Sequence, residues 1–512
     1  MRSRGLCGLV CVVVTLSALA AVGVASSGAA TGSVVEFAAP GGPRQIVAGP
    51  DGNLWFTTVD GHVGRMSAKG VQVEFPIAAY AEGIAVGSDG NLWFLEPNQN
   101  VIGHITPAGT GLTECSLPTI GVSPVPISLA PGSDGNLWIA VSEGNAIDRV
   151  TPAATCAGEA GTAFLLANAT SNLPNSITPG ADGNLWFSEG SAAGDGNAYV
   201  GRISTSGVDS HFPNVGGGSN WITAGSDGNL WLTGGASAHA VYRVPTSGAP
   251  INGFDPVMPL AAATEQITAG ADGNLWFDES GGDQIGRITT NGTFTTFPLP
   301  SSGVGATGIA LGPDGNIWFD EYNLNKIGRL TDTATNTAYA LVLDPGYAPK
   351  AVTVKKQGTK LDWTFQGGRN HSVSDSSGMG LFDSGVKTVG SIYTVAFKAA
   401  GSYGYHSTVV GDPPSLAGTI TVPIVAKAVN GSPTQATVTW ASGSSGGSFV
   451  SDIQVKGPTD SSFRPWLTGQ TATHATFTED AGPGKYQFQA RLRNSGNGFS
   501  SGYSPAKSVT LG

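Results

Sequence analysis

Polar side chains recur at one position near the start of a unit that the sequence repeats seven times. If the units are arranged around an axis, side chains at this position line one mouth of a central channel. Glu82 and Glu265 then lie across the ring from each other, and a cation, a metal ion or an amine-bearing ligand fits between two such carboxylates. The alternative is a ring of solvated polar residues around a water-filled channel. The residues at this position are Arg44, Glu82, Ile127, Asn175, Asn220, Glu265 and Thr307.

Acidic residues that follow the repeated tryptophan add to this chemistry. They fall in the fourth, sixth and seventh units and are predicted to make the channel mouth more negative. Glu279 and Glu321 therefore join the ligand-binding candidates. The acidic residues are Glu189, Asp278, Glu279, Asp320 and Glu321.

The repeat also predicts the elements that position these residues. Each unit contains Asp-Gly-Asn-Leu-Trp or Asp-Gly-Asn-Ile-Trp, and the tryptophans stand 38 to 48 residues apart, a period typical of propeller blades. The sixth unit predicts four strands, at 265–270, 275–279, 284–289 and 293–298. The segment 33–38 resembles a fourth strand without the other three, and we expect it to close the ring in the seventh blade. The tryptophans are Trp55, Trp93, Trp138, Trp186, Trp231, Trp276 and Trp318.

The Asp-Gly-Asn segment raises the question of calcium binding. A calcium site needs about six to eight oxygen ligands, whereas this segment offers two side chains and no downstream bidentate glutamate at a fixed spacing. Asp and Gly are favoured in tight turns for conformational reasons. The motif therefore predicts a turn and not an ion site.

The seventh unit carries the longest form of the motif, Gly-Pro-Asp-Gly-Asn-Ile-Trp-Phe at 312–319 and Lys-Ile-Gly-Arg-Leu-Thr at 326–331. Over residues 34–340 these repeats resemble the streptogramin lyase (virginiamycin B lyase) family. The resemblance implies a seven-bladed β-propeller. For active members it also implies opening of a cyclic depsipeptide lactone by elimination, with a histidine base and a magnesium ion held near glutamates.

The positions that the family uses for this chemistry are changed here. The resemblance places two histidines where this chain has Glu265 and Thr307, and a glutamate where it has Gly305. Threonine cannot replace histidine as a general base. We therefore predict a binding protein without lyase activity, and the alternative is a divergent lyase that needs magnesium. The propeller histidines lie at other repeat positions: His62, His104, His211 and His239.

Residues 345–422 change to a β-branched alternating pattern and resemble a plastocyanin-like cupredoxin domain. His371 matches the first copper ligand, but Ser407 stands at the cysteine position and Leu416 is nearest to the methionine position. Without the thiolate the strongest soft ligand is missing, so copper binding and electron transfer are not expected. A residual site of His371 with His406 stays open, although strand alternation turns His406 away from Ser407.

Residues 423–512 resemble a fibronectin type III domain, with Trp440 and Tyr486 at its usual core positions. A spacer is the default role of such a module. Cell-wall or carbohydrate contact is the sharper hypothesis.

Residues 1–30 are typical of a secretory signal peptide, because Arg2 and Arg4 precede an apolar run that ends in small residues. Its removal leaves Cys115 and Cys156 as the only thiols, and in an exported protein these two are predicted to form a disulfide. No later segment approaches the apolar length that a membrane span needs.

Composition and charge complete the prediction. The 512 residues include 76 Gly and 31 Pro, and only 12% are charged, which favours several all-β domains. Residues 31–344 hold 9 basic and 28 acidic residues, which argues against nucleic acid as a partner of the propeller. We predict a secreted protein with a propeller at 31–344 and sandwiches at 345–422 and 423–512. It is expected to bind a small molecule, peptide or glycan at the acidic mouth, without a cofactor.

Overall fold

The computed structural model describes residues 32–119, 124–152, 161–167, 172–191, 199–213, 219–234, 240–248, 252–254, 264–332 and 337–512. The predicted signal peptide therefore lies outside the described residues. These described residues are all-β except for two short 3-10 helices, Pro97–Gln99 and Tyr322–Leu324. Among the described residues, no helix has the length and apolar character to cross a membrane.

Seven four-stranded antiparallel sheets form the blades of a propeller, and their first strands lie side by side in a closed ring. Blades 1 and 2 comprise Pro43–Ala48, Leu54–Thr58, His62–Met66 and Gln72–Pro76, then Ile84–Val86, Leu92–Glu96, Val101–Ile105 and Thr113–Ser116. Blades 3 and 4 comprise Pro126–Pro131, Leu137–Val141, Ala146–Val150 and Thr162–Leu165, then Asn172–Pro179, Leu185–Ser191, Tyr199–Ile203 and Asp209–Pro213.

The last three blades repeat this order. Blades 5 and 6 comprise Ser219–Ala224, Leu230–Gly234, Val241–Val244 and Asn252–Phe254, then Thr264–Ala269, Leu275–Glu279, Gln284–Ile288 and Phe294–Pro298. Blade 7 comprises Ile309–Leu311, Ile317–Glu321, Lys326–Asp332 and, as its outer strand, Gly32–Ala38. The prediction that the segment at 33–38 closes the ring is thus confirmed.

The repeated Asp-Gly-Asn segment is a structural turn. In blade 6 the Asp272 carboxylate accepts hydrogen bonds from the Asn274 amide, at 3.1 Å, and from the Trp276 indole nitrogen, at 3.1 Å. Gly273 takes a φ of 79°, which a residue with a side chain rarely adopts. The other six blades have the same bond between aspartate and tryptophan.

Arginine side chains on the third strands join the blades. In blade 7 the Arg329 guanidinium carbon lies 5.4 Å from the Trp318 ring and 5.5 Å from the Phe37 ring, and Phe37 belongs to the closing strand. The same guanidinium donates a 2.6 Å hydrogen bond to the Ala68 carbonyl of blade 1. One side chain therefore ties the closing strand to the rest of blade 7 and to blade 1.

We expect Arg329→Met to lower the free energy of unfolding by about 1–2 kcal/mol, because it removes two cation–π contacts and a charged hydrogen bond but keeps the apolar stem. Chemical denaturation of the two proteins measures the difference. Lys427→Met, at an exposed position in the C-terminal region, is the control and should leave stability unchanged. Equal stability of the Arg329 variant and the wild type would contradict this role.

A β-sandwich follows the propeller and is called the second domain. One of its sheets contains Thr337–Leu343, Gly346–Ala348, Thr359–Phe365 and Ile392–Phe397. The other contains Ala351–Thr353, Ser374–Asp375, Gly401–His406 and Ala417–Val422. The predicted boundary at 344 is therefore corrected, because Thr337–Leu343 pairs in parallel with Thr359–Phe365. The propeller has no place for this strand, since Gly32–Ala38 already supplies the outer strand of blade 7.

The last sandwich is called the third domain and shares one continuous hydrophobic core with the second, which includes Trp363 and Trp440. Its two sheets contain Val425–Val429, Ser432–Thr439 and His474–Thr478, then Phe449–Lys456, Arg464–Gln470, Gly484–Asn494 and Lys507–Leu511. A shared core holds the two sandwiches together as one body. The cupredoxin and fibronectin type III assignments stay predictions.

The second domain sits on the propeller face that carries the Asp-Gly-Asn turns. Its residues approach the turns of blades 1, 2, 3, 5, 6 and 7, so the contact surrounds the channel axis. Gly368 packs against the backbone of Pro131 and Gly132 in blade 3, and Gly390 packs against the Gly225 carbonyl in blade 5. The second domain therefore covers one end of the central channel.

Candidate ligand site at the channel mouth

The opposite end of the channel opens into a cavity of about 350 Å³. Four of the predicted ligand-binding residues and Thr307 line it together, although they come from different blades. Ile127 does not line this cavity, and the side chain of Asn220 lies outside the described part of the chain. The lining residues are Arg44, Gln45, Glu82, Asn175, Trp221, Glu265, Gln266 and Thr307.

β-Bulges explain why these side chains point into the channel. In blades 1, 3, 4, 5 and 6 the pairing of the first two strands shifts register at the mouth end, for example between Thr264 and Ile267. A bulge breaks the alternation of a strand and re-aims its side chains. Two consecutive residues, such as Glu265 and Gln266, then face the same cavity. Gln45, Trp221 and Gln266 were not predicted from the sequence, because only one position of each unit was considered there.

An ion pair occupies one side of the mouth. The Arg44 guanidinium donates to Glu82 Oε1 at 2.6 Å and lies over the Tyr322 ring, 5.5 Å from its centre. The hypothesis of a cation shared by Glu82 and Glu265 is therefore corrected. Arg44 already supplies the positive charge beside Glu82, a pairing that adjacent blades create and that repeat position alone does not predict.

The two residues at the family histidine positions are held in different ways. Glu265 accepts a hydrogen bond from the Ser280 hydroxyl at 3.2 Å and faces the cavity. Thr307 donates its amide and its hydroxyl to the Asp320 carboxylate, at 2.6 and 2.8 Å. A hydroxyl bound in this way has no proton-accepting role. Among the described residues that line the cavity there is no histidine.

The propeller histidines lie in the outer parts of their blades. His62 contacts Asp60 at 3.0 Å, His104 packs on the Trp93 ring, and His211 contacts Glu189 Oε2 at 3.0 Å. His239 lies outside the described residues. The structure thus places the three described histidines away from the mouth.

The acidic residues that follow the tryptophans are buried and do not line the mouth cavity, which corrects the prediction for Glu279 and Glu321. Glu279 accepts a 2.8 Å hydrogen bond from the Gln284 side chain inside blade 6. Burial and the neighbouring Glu36 raise the pKa of Glu321 to about 7. Strand alternation turns these side chains between the sheets, where water does not reach them.

Asp278 and Asp320 hold the backbone at the mouth end of the first strands from inside. Asp278 accepts a 2.8 Å hydrogen bond from the Gln266 amide, and Asp320 accepts one of 2.8 Å from the Gly308 amide. Burial, together with the charge of Asp320, raises the pKa of Asp278 well above its ordinary value. Burial also raises the pKa of Asp320 to about 7, against the lowering effect of the Thr307 and Gly308 donors. These residues position the mouth.

Asp320→Asn should change the pH dependence of stability. Because the folded pKa of Asp320 is raised from 3.8 to about 7, the folded state binds more protons than the unfolded state between these values. Wild-type stability therefore falls as pH rises from about 4 to 7. Asparagine accepts the same hydrogen bonds from the backbone amides and has no charge. Over this pH window the free energy of unfolding of the variant should therefore fall by on the order of 2 kcal/mol less than that of the wild type. Thermal unfolding at several pH values tests this, and parallel curves for both proteins would contradict it.

A second, smaller cavity lies behind the mouth. Gln45, Trp221 and Gln266 line both the mouth cavity and a second cavity of about 210 Å³. The first strands form the walls of this inner chamber, and residues 364–366 and 389–390 of the second domain form its floor. Within the described residues, the channel is thus a pocket with one open end.

The predicted copper position holds an ion triad. His371 is buried, and its Nε2 contacts Asp344 at 2.9 Å while its Nδ1 contacts Asp412 at 3.0 Å. Ser407 donates its hydroxyl to Asp412. Because the two ring nitrogens point in opposite directions toward different carboxylates, the residues have no common point for a copper ion. No described group of three or more His, Cys, Asp and Glu residues is arranged to hold a metal.

The described residues at the mouth do not fit a magnesium ion either. Glu82 is paired with Arg44, while Asp278 and Asp320 are buried among backbone amide donors. Hard cations need several accessible oxygen ligands. The described lining residues therefore do not fit a magnesium site.

Cys115 is disulfide-bonded. Its predicted partner, Cys156, lies outside the described residues. The residue stands on the outer strand of blade 2 at a position that aromatic side chains fill in other blades, for example Phe75 in blade 1.

The fold and the site together define a seven-bladed propeller with a ligand cavity at the open end of a covered channel. Residues 13–213 and 126–375 match the model of the virginiamycin B lyase family, and the chain belongs to this family. No curated protein matches the chain.

Solved structures agree with this family assignment. A selenomethionine-substituted virginiamycin B lyase from Staphylococcus aureus is 31% identical, and the match covers 59% of this chain and 99% of that chain with a TM-score of 0.52. A catalytically inactive histidine-to-alanine variant of virginiamycin B lyase from Staphylococcus aureus, solved with quinupristin, is 30% identical, with coverage of 59% and 99% and a TM-score of 0.52.

Proposed function

We propose that this protein is an exported binding protein that takes a polar ligand in the mouth of the propeller channel. The observation that carries the proposal is the convergence of Arg44, Glu82, Asn175, Trp221 and Glu265 on one cavity that has no described histidine. A concave site with a few convergent polar groups is typical of ligand binding. The ligand is a small molecule, a peptide or a glycan.

The chemistry of the mouth favours a ligand with several hydrogen-bonding groups and a flat or ring-shaped face. The Arg44–Glu82 pair and Asn175 supply donors and acceptors, and Trp221 supplies an apolar surface beside them. Export is supported by the disulfide at Cys115, because such bonds persist in oxidising compartments. Cell-wall contact through the third domain remains a separate part of the proposal.

A thermal-shift screen of glycans, peptides and polar metabolites identifies ligands, and titration calorimetry then measures affinity. We expect Glu82→Gln combined with Glu265→Gln to weaken the ligand at least about tenfold, because charged hydrogen bonds are each worth roughly 1.5–3 kcal/mol. Asp480→Asn, at a partly exposed position of the third domain, is the control. Unchanged affinity in the double variant would remove the mouth as the binding site.

The second candidate is a divergent lyase, which the 31% identity over 99% of virginiamycin B lyase favours. Incubation of the purified protein with a streptogramin B antibiotic and magnesium, followed by mass spectrometry, decides between the two. Linear product without added mass would establish elimination and overturn the binding proposal. Recovery of the intact cyclic antibiotic is the result that we expect.

A further inference from the structure

The inner chamber behind the mouth contains polar groups as well as apolar walls. The accessible lining is more polar than apolar, and Ile84, Leu129 and Ile177 of the first strands contribute part of its aliphatic surface. A volume of about 210 Å³ corresponds to roughly seven water-sized groups. The chamber therefore has room for a short chain.

Two buried side chains that line this chamber carry a polar atom without a hydrogen-bond partner among the described residues. Gln45, which lines both cavities, is 8% exposed and has an unpartnered Nε2 donor. Thr364, on the floor, is 1% exposed and has an unpartnered Oγ1. Leaving such a buried group unsatisfied destabilises the folded state, so a ligand that supplies the missing partner is favoured.

The orientation of Thr364 follows from its strand. Trp363 and Phe365 belong to the core of the second domain, and alternation along the strand turns Thr364 to the opposite side. Its pairing partner Ile392 lies against Gly273 of the propeller, so this side of the sheet faces the channel. The hydroxyl therefore points toward the chamber from the floor.

We propose that the inner chamber is a second binding compartment for a short neutral chain with an oxygen at each end. One oxygen accepts a hydrogen bond from the Gln45 amide, the aliphatic middle contacts the isoleucine and leucine walls, and the other oxygen bonds the Thr364 hydroxyl. The inference rests on the proposed function in one respect, since the ligand passes the mouth to reach the chamber. The short chain is the part of the ligand that lies beyond the mouth.

The probe is 1,5-pentanediol, a short chain with a hydroxyl group at each end, measured by ligand-observed NMR titration on the full chain. We expect Gln45→Leu and Thr364→Val each to weaken the probe at least about fivefold, because each removes one hydrogen bond. Thr223→Leu with Thr268→Leu fills the chamber from its wall and should abolish binding. Thr394→Val, exposed on the same sheet of the second domain, is the control and should not change it.

Glu265→Gln separates this inference from the proposed function. It should weaken a mouth ligand and leave pentanediol affinity unchanged, because Glu265 lines only the mouth. Absence of probe binding to the folded wild type would overturn the second compartment. Equal probe binding by the wild type and by a folded Thr223 and Thr268 double variant would also overturn it, whatever the mouth binds.

Discussion

His371→Leu is expected to lower the free energy of unfolding of the second domain by about 3–5 kcal/mol, the effect of removing one partner from a buried ionic group. The His371 side chain is completely buried. The side chains of Asp344 and Asp412, which contact its two ring nitrogens, are 2% and 3% exposed. Leucine occupies similar space but leaves two buried carboxylates without their shared cation. Differential scanning calorimetry measures the loss.

The pH dependence distinguishes an ionic role from simple packing. Burial alone lowers the pKa of His371, but its hydrogen bonds with Asp344 and Asp412 outweigh burial and raise the pKa above 6.5. The stabilisation is therefore fully present below about pH 6.5 and is lost as pH rises through the raised pKa. The wild type should therefore lose stability as the pH rises above about 6.5, and His371→Leu should not.

His474→Leu provides a matched control, because His474 is an exposed histidine of the third domain. It should leave both the stability and its pH dependence unchanged. If His371→Leu and His474→Leu unfolded alike, the triad would have no net effect on stability. The triad also bears on the predicted vestigial copper position, since it gives His371 a structural role without a metal.

Gly368→Val is expected to destabilise the contact between the second domain and the propeller by about 3 kcal/mol, the upper end of overpacking effects. A Cβ at this position would overlap the carbonyl oxygen of Pro131 and lie 2.6 Å from the carbonyl carbon. These are backbone atoms of a blade-3 turn, so no side-chain rotation relieves the overlap. The same residue donates its amide to Asp344, at 3.2 Å, which links this contact to the His371 triad.

Calorimetry and limited proteolysis report the result. We expect the melting curve of Gly368→Val to separate into two transitions, with earlier cleavage between the propeller and the second domain. Gly443→Val is the control, because a Cβ at Gly443 meets no atom within 4 Å. A single transition at the wild-type temperature would show that the contact tolerates the extra volume.

This contact places the second domain at the closed end of the channel. Residues 364–366 and 389–390 of the second domain form the floor of the inner chamber. A ligand that enters at Arg44 and Glu265 therefore meets a closed end, and its length is limited by the second domain. Gly368→Val should open this end and weaken ligands that reach the floor.

The sequence by itself determined the propeller. The seven Asp-Gly-Asn turns and tryptophans are local features, since each aspartate bonds a tryptophan four residues later. The segment at 33–38 could be assigned to the seventh blade, because a closed ring of repeats needs a fourth strand there to avoid an unpaired edge. Five of the seven ring positions also line one cavity, Arg44, Glu82, Asn175, Glu265 and Thr307, because equivalent positions of a repeat occupy equivalent places around the axis.

Only the tertiary structure decided the chemistry of the mouth. Arg44 neutralises Glu82 because neighbouring blades bring them within 2.6 Å, and no pattern within one unit contains that distance. Register shifts turned Gln45, Trp221 and Gln266 into the channel, while alternation buried Glu279 and Glu321. The strand Thr337–Leu343 joined the second domain because its partners come later in the chain. Repeats determine local turns and packing, whereas charge pairing, burial and the covered end of the channel depend on contacts between distant segments.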